Sequence, residues 1–126
     1  MVSLSHDARV MILEGDEYLS SPIDRRPKFH LYHADIALIS GIAWDHINVF
    51  PTFENYVEQF QIFVNQIPDG GSLIYCEEDI EVKKIGEAAS VNIQKYPYRI
   101  PKYEIKDGVT YLINAKNEIR SNKKIF

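Results

Sequence analysis

Two short apolar runs, Ala34–Ile42 and Ser72–Cys76, bracket a stretch whose apolar residues recur every three or four positions. Phe53, Tyr56, Val57, Phe60, Phe63, Val64 and Ile67 share one face of a 3.6-residue helix. Thr52 stands before them, where its hydroxyl can accept from a first-turn N–H. Pro68 ends the pattern, and Asp69-Gly70-Gly71 turns the chain. Continuous short apolar runs read as strands covered on both faces. Two such strands joined through a helix form a parallel pair, because a tight turn cannot reverse the chain twice.

The rest of the chain extends this unit. Arg9–Leu13 (RVMIL) is a further short apolar run and reads as a buried strand. A weaker helical pattern covers Ile80–Ala89, and Val91-Asn92-Ile93 reads as a fourth short strand. Strands alternating with helices give a parallel sheet with crossover connections. Beyond residue 95 the pattern changes. Tyr103-Glu104-Ile105 leads into Lys106-Asp107-Gly108, and Val109–Ile113 follows, with a turn at Asn114–Asn117. Asp-Gly between β-prone runs is a hairpin signal. The expected fold is therefore α/β: a partial, mostly parallel sheet with flanking helices over residues 8–94, plus a small antiparallel β unit over residues 95–126. At 126 residues the chain fits one domain. It starts abruptly with a strand, and Lys123-Lys124-Ile125-Phe126 reads like the middle of another.

Composition excludes several classes. The single cysteine, Cys76, has no internal disulfide partner and sits in an apolar strand pattern, as a buried thiol in a reducing compartment does. No apolar run nears the ~20 residues of a membrane span, and Met1–Arg9 lacks the build of a signal peptide, so a cytoplasmic protein without membrane contact is expected. The net charge is −4, unevenly spread. Residues 95–126 hold eight basic and three acidic residues, leaving −9 for residues 1–94. Lysines on exposed hairpin faces account for the basic end, and with a pI near 5.5 no nucleic-acid partner is expected.

Open α/β sheets bind ligands outside the carboxyl ends of their strands. Two such ends carry chemistry here. Arg9–Leu13 runs into Glu14-Gly15-Asp16-Glu17, and Ala34–Ile42 runs through Trp44 into Asp45-His46. If the strands are neighbours, Glu14 and His46 face one crevice, where a carboxylate and an imidazole can share a divalent cation with water and phosphate oxygens. Imidazole is not magnesium's usual ligand, so a plain loop histidine and a plain hydrophilic loop stand beside this reading. Arg25-Arg26-Pro27-Lys28 either meets an anionic ligand or neutralises the acids upstream. The sequence has no G-x-S-x-G, HExxH, zinc-type cysteine pair or G-x-x-x-x-G-K-[ST] phosphate loop.

Three segments resemble the central, ATP-binding domain of the Mur ligases, the amide-forming ligases of peptidoglycan synthesis. They are ILEGDEY (Ile12–Tyr18), ALISGIAWDHINVFPTFENY (Ala37–Tyr56), similar to the family's N-[IV]-x-x-D-H-x-D segment, and FVNQIPDGGSLIYCEED (Phe63–Asp79). EGDEY together with DRRPKFHLY (Asp24–Tyr32) is most similar to the murein tripeptide branch, next to the L-alanine-adding branch, whose motif usually reads EADES. The resemblance implies Glu14 and His46 as magnesium ligands at the ATP γ-phosphate, with Asp45 and His46 as the catalytic pair and Asp45 orienting the imidazole or its loop. Asp16, Glu17, Arg25 and Arg26 become candidate substrate contacts. It implies ATP and Mg2+ as cofactors of the full-length enzyme. The substrates would be UDP-N-acetylmuramate and an amino acid or peptide such as L-alanyl-γ-D-glutamyl-meso-diaminopimelate. The substrate carboxylate would be activated as an acyl phosphate and attacked by an amine. Asn48 replaces a second aspartate that the family often carries after D-H-x. The family's phosphate loop and its G-x-H-N motif are not in the chain, which marks it as a fragment expected to be inactive and without cofactor alone. The competing expectations are a related ligase such as folylpolyglutamate synthase, or a non-catalytic binding module derived from a ligase domain.

Overall fold

A computed structural model describes residues 5–44 and 47–113. Three strands, β1 (Ile36–Ile39), β2 (Ser72–Cys76) and β3 (Gln94–Tyr98), form a parallel sheet in the order β1-β2-β3. Helix α1 (Phe53–Asn65) joins β1 to β2, and α2 (Ile80–Ala88) joins β2 to β3. Strands β4 (Tyr103–Lys106) and β5 (Val109–Leu112) form a separate antiparallel pair. The α/β fold with an appended antiparallel unit is as the sequence implies.

Local signals placed several elements closely. The Thr52 hydroxyl accepts from the Asn55 N–H at 3.1 Å and starts α1 one residue after itself. Gly70, at φ 83, makes the turn into β2 that a residue with a Cβ would resist. The β4–β5 turn puts Asp107 at φ 52 and Gly108 at φ 73, the double positive φ of a two-residue hairpin. Cys76 is buried and free, as expected.

The register pairs Ala37 with Leu73 and Ile39 with Tyr75. These four side chains are buried together with Tyr56 and Val64 of α1 and Val82 and Ile85 of α2. Both helices therefore cover one face of the sheet. Lys95 of β3 donates from Nζ to the carbonyls of Glu87 and Ala89, satisfying the last turn of α2.

Three expectations are corrected. Arg9–Leu13 is not a strand: Val10 is 78%, Met11 67% and Ile12 92% exposed. β1 is an edge strand, and among the described residues nothing pairs with its outer side. Ala34–Ile42 is not a strand buried on both faces; β1 spans Ile36–Ile39 and its burial alternates, with Ile36 69% and Leu38 62% exposed. The reason is topological. Strands added in one direction with crossovers of one hand bring every connecting helix to the same face. The fourth strand lies at Gln94–Tyr98 rather than Val91–Ile93, where the chain turns. Pro97 is tolerated there because β3 is the other edge of the sheet among the described residues. The expected turn at Asn114–Asn117 and the Lys123–Phe126 run lie outside the described residues.

Candidate active site

β1 and β2 are parallel neighbours, so their carboxyl ends leave the sheet side by side. After β1 the chain runs Ser40-Gly41-Ile42-Ala43-Trp44 and, beyond Asp45 and His46, continues at Ile47. Asp45 and His46 lie outside the described residues. Their neighbours on both sides are held. Ile42 is buried, and its N–H donates to Asp79 Oδ2 at 2.9 Å. The Trp44 indole donates to the Phe50 carbonyl at 3.0 Å, and its ring lies 6.3 Å from that of Phe53. Phe50 is buried against Tyr56, with ring centroids 5.3 Å apart. Hydrogen bonds and packed rings thus tie the flanks of the Asp45-His46 pair to the first turn of α1 and to the β2 exit.

The acids after β2 are engaged. Glu77 pairs with Arg99, whose guanidinium is pushed further toward its charged form by that carboxylate. Glu78 accepts from the Ile100 N–H at 3.3 Å. Asp79 caps α2, its Oδ1 accepting from Glu81 N–H and Val82 N–H at 3.0 Å each. Sequence reasoning passed over Asp79. An acid directly before a helical pattern is an N-cap signal, and it was legible there.

The N-terminal candidates sit on a different support. Glu14 is exposed and in no regular element. Asp16 Oδ2 pairs with Lys28 Nζ at 2.7 Å, and Asp16 Oδ1 accepts from the Tyr18 N–H at 2.9 Å. The Lys28 N–H donates to the Tyr18 carbonyl, and Leu19 bridges Pro27, so residues 16–28 close into one loop. Inside it, Asp24 grips Arg26 through both oxygens, at 2.9 Å to Nε and 2.7 Å to Nη2. That guanidinium holds the Asp24 carboxyl down at about 2. Arg25 is exposed, and Glu17 is half-buried.

The loop docks on α1. Phe29 is buried and meets Phe60 and Phe63 at 5.4 and 5.2 Å. His30, 3% exposed, hydrogen-bonds through Nε2 to the Gln59 carbonyl at 2.8 Å. No local signal marks His30, because only the docking of the loop buries it. Among the described residues, no three His, Cys, Asp or Glu side chains converge as a metal cage. Of the carboxylates at this end of the loop, exposed Glu14 is of the hard-oxygen type that suits magnesium, whereas Asp16 is committed to Lys28. No helix of the described residues is long and apolar enough to cross a membrane.

Comparison with known proteins adds the family. A profile described as "Mur ligase middle domain" matches residues 3–124. A UDP-N-acetylmuramate–L-alanine ligase of Saccharopolyspora erythraea is 31% identical over 97 residues, covering 75% of this chain and 18% of the relative. One from Bdellovibrio bacteriovorus is 35% identical over 77 residues, covering 60% and 17%. The Escherichia coli UDP-N-acetylmuramate–L-alanyl-γ-D-glutamyl-meso-2,6-diaminoheptandioate ligase is 30% identical over 73 residues, covering 58% and 16%. The chain thus spans under a fifth of the length of these curated relatives. The matched span takes in the whole sheet, both helices and the hairpin, and on that match the chain belongs to the Mur ligase family, as its middle domain.

Proposed function

We propose that this chain is part of the middle domain of an ATP-dependent ligase of peptidoglycan synthesis or recycling. The enzyme joins the carboxylate of UDP-N-acetylmuramate to the amine of an amino acid or peptide. The family match over residues 3–124 carries this reading. In it, Glu14 and His46 hold Mg2+ and Asp45 orients the histidine or its loop. A bound magnesium ion supplies charge neutralisation during phosphoryl transfer to the substrate carboxylate. The chain's own contribution is placement. β1 ends at the carboxyl edge of the sheet, and the Ile42 and Trp44 hydrogen bonds hold the exit that runs on toward Asp45 and His46. The loop of residues 16–28 spends Asp16 and Arg26 on internal pairs, and the exposed Glu14 just before it and Arg25 within it stand as candidates for ligand contact.

Within the family the reading favours the tripeptide branch, with L-alanyl-γ-D-glutamyl-meso-diaminopimelate as the amine. Relatives of the two branches match at nearly equal identity, 31% and 30%, so overall similarity does not divide them. The EGDEY wording of Glu14–Tyr18 and the Asp24–Tyr32 segment support the tripeptide. The Asp16–Lys28 pair and the Leu19–Pro27 bridge join those two segments into one unit.

The test is an ADP-release assay on the full open reading frame that contains this chain. It should consume ATP with UDP-N-acetylmuramate and the tripeptide; turnover with L-alanine alone would move it to the neighbouring branch. Glu14→Ala and His46→Ala should each lower kcat by about 100-fold or more. Full activity in both variants would sink the metal-site assignment.

A further inference from the structure

Asp79 makes three hydrogen bonds that join two parts of the chain far apart in sequence. Its Oδ1 accepts from the Glu81 and Val82 N–H groups at the start of α2. Its Oδ2 accepts from the Ile42 N–H at 2.9 Å. Gly41 lies against the same oxygen, close enough that a Cβ there would stand 3.5 Å from Oδ2. One carboxylate therefore spans the exits of β1 and β2, the two adjacent strand ends where an open α/β sheet places its chemistry.

An N-cap alone does not need this arrangement. Capping uses one oxygen, and Asn, Ser or Thr performs it nearly as well. The second oxygen is what an aspartate adds. It accepts the Ile42 amide, which is otherwise a buried donor without a partner in the sheet, since β1 ends at Ile39. Ile42 is the last buried residue before Trp44 and the Asp45-His46 segment. Trp44 Nε1–H to the Phe50 carbonyl ties the same stretch forward, to the entry of α1.

We propose that Asp79 is a positioning residue of the ligase: it fixes where the β1 exit loop leaves the sheet, and through that loop it sets the placement of the ligase motif. This rests on the function proposed above. Asp79 touches neither substrate nor metal in this role. It acts through the backbone of Ile42.

Asparagine separates the two jobs. In Asp79→Asn the side-chain carbonyl can still accept from Glu81 and Val82, but the amide nitrogen then faces the Ile42 N–H, donor against donor. The expected result is a helix that stays capped and a loop that is released. Amide hydrogen exchange should show Ile42 exchanging at least about tenfold faster while Glu81 and Val82 change little. In the full open reading frame, kcat should fall about 10- to 100-fold. The KM for UDP-N-acetylmuramate should move less than about twofold, as fits an interaction lost from the transition state rather than from substrate binding. The melting temperature should fall by only a few degrees, from the lost Ile42 hydrogen bond alone, since the cap persists. Asp79→Ala, which removes both contacts, should lose stability as well as kcat. Unchanged kcat in Asp79→Asn, or an Ile42 amide as slow as before, overturns the proposal. An unaltered protein that is already inactive with both amine substrates overturns the ligase reading itself, and this inference with it. Activity in the unaltered protein but no effect of Asp79→Asn overturns only the positioning role.

Discussion

Arg9–Leu13 and Ile36–Ile39 are alike as sequence and unlike as structure. Both are short, continuous apolar runs that lead toward an acid, Glu14 directly after Leu13 and Asp45 a few residues after Ile39. Ile36–Ile39 is a strand with Ala37 and Ile39 buried, whereas Ile12 in the other run is 92% exposed and unpaired in any sheet. The difference is the neighbour. β1 has β2 beside it, in register from Ile36 and Ser72 onward, and two helices over one face. A run of apolar residues is a strand only where another strand takes its hydrogen bonds and another layer takes its side chains. The same reasoning explains why even β1 buries alternate residues: its second face has no layer among the described residues.

That contrast can be broken most sharply at the two ends of the burial scale. Leu73, on β2 and 0% exposed, should cost about 2–5 kcal/mol when changed to Ala. Ile12→Ala should stay within about 0.5 kcal/mol. Urea unfolding of both variants measures the gap, and equal losses would mean that Arg9–Leu13 is packed after all.

A smaller effect is expected at two glycines, one in the packed helix α2 and one beside the exposed run. A Cβ on Gly86 would lie 2.6 Å from the ring of Tyr75, which is buried under α2. Gly86→Ala should cost about 1–3 kcal/mol through overpacking. Gly15 has nothing within 4 Å, so Gly15→Ala should be near neutral in the same unfolding experiment. A costly Gly15→Ala would point to an unseen packing partner next to Glu14.

The smallest effect concerns the exposed loop that closes behind Glu14. Arg26 lowers the Asp24 carboxyl from its ordinary 3.8 to about 2. A depressed carboxylate contributes to stability at pH values above its unfolded pKa, and that contribution fades as pH falls from about 4 through 2. Carboxyl-carbon chemical shifts should show Asp24 titrating near 2, and Arg26→Ala should return the midpoint toward 3.8. A midpoint that ignores Arg26→Ala would show that the pair does not persist in solution, as exposed pairs often do not.

Much of the fold was legible because its signals are local. The Thr52 cap, the 3.6-residue stripe of α1, the Gly70-Gly71 turn and Asp107-Gly108 each act within a few residues of themselves. The Val91–Ile93 strand was displaced to Gln94–Tyr98 because register belongs to the partner: β3 pairs where Ser72 meets Gln94. For the candidate site, the sequence named Glu14, Asp45 and His46 through likeness to a family. It offered the Arg25–Lys28 cluster as a neutraliser of the acids upstream, but which base takes which acid, Lys28 with Asp16 and Arg26 with Asp24, came only from the fold of the loop.

Taken alone, then, the amino-acid sequence determined the two helices, the hairpin, the family and the identity of the D-H motif, because periodicity, caps and motif wording are properties of neighbours along the chain. Tertiary structure decided which apolar run became a strand, which face of the sheet was covered, and that Asp79, thirty-seven residues from Ile42, would hold the loop before the motif. Those outcomes depend on hydrogen-bond partners supplied from elsewhere in the chain. No window of sequence contains them.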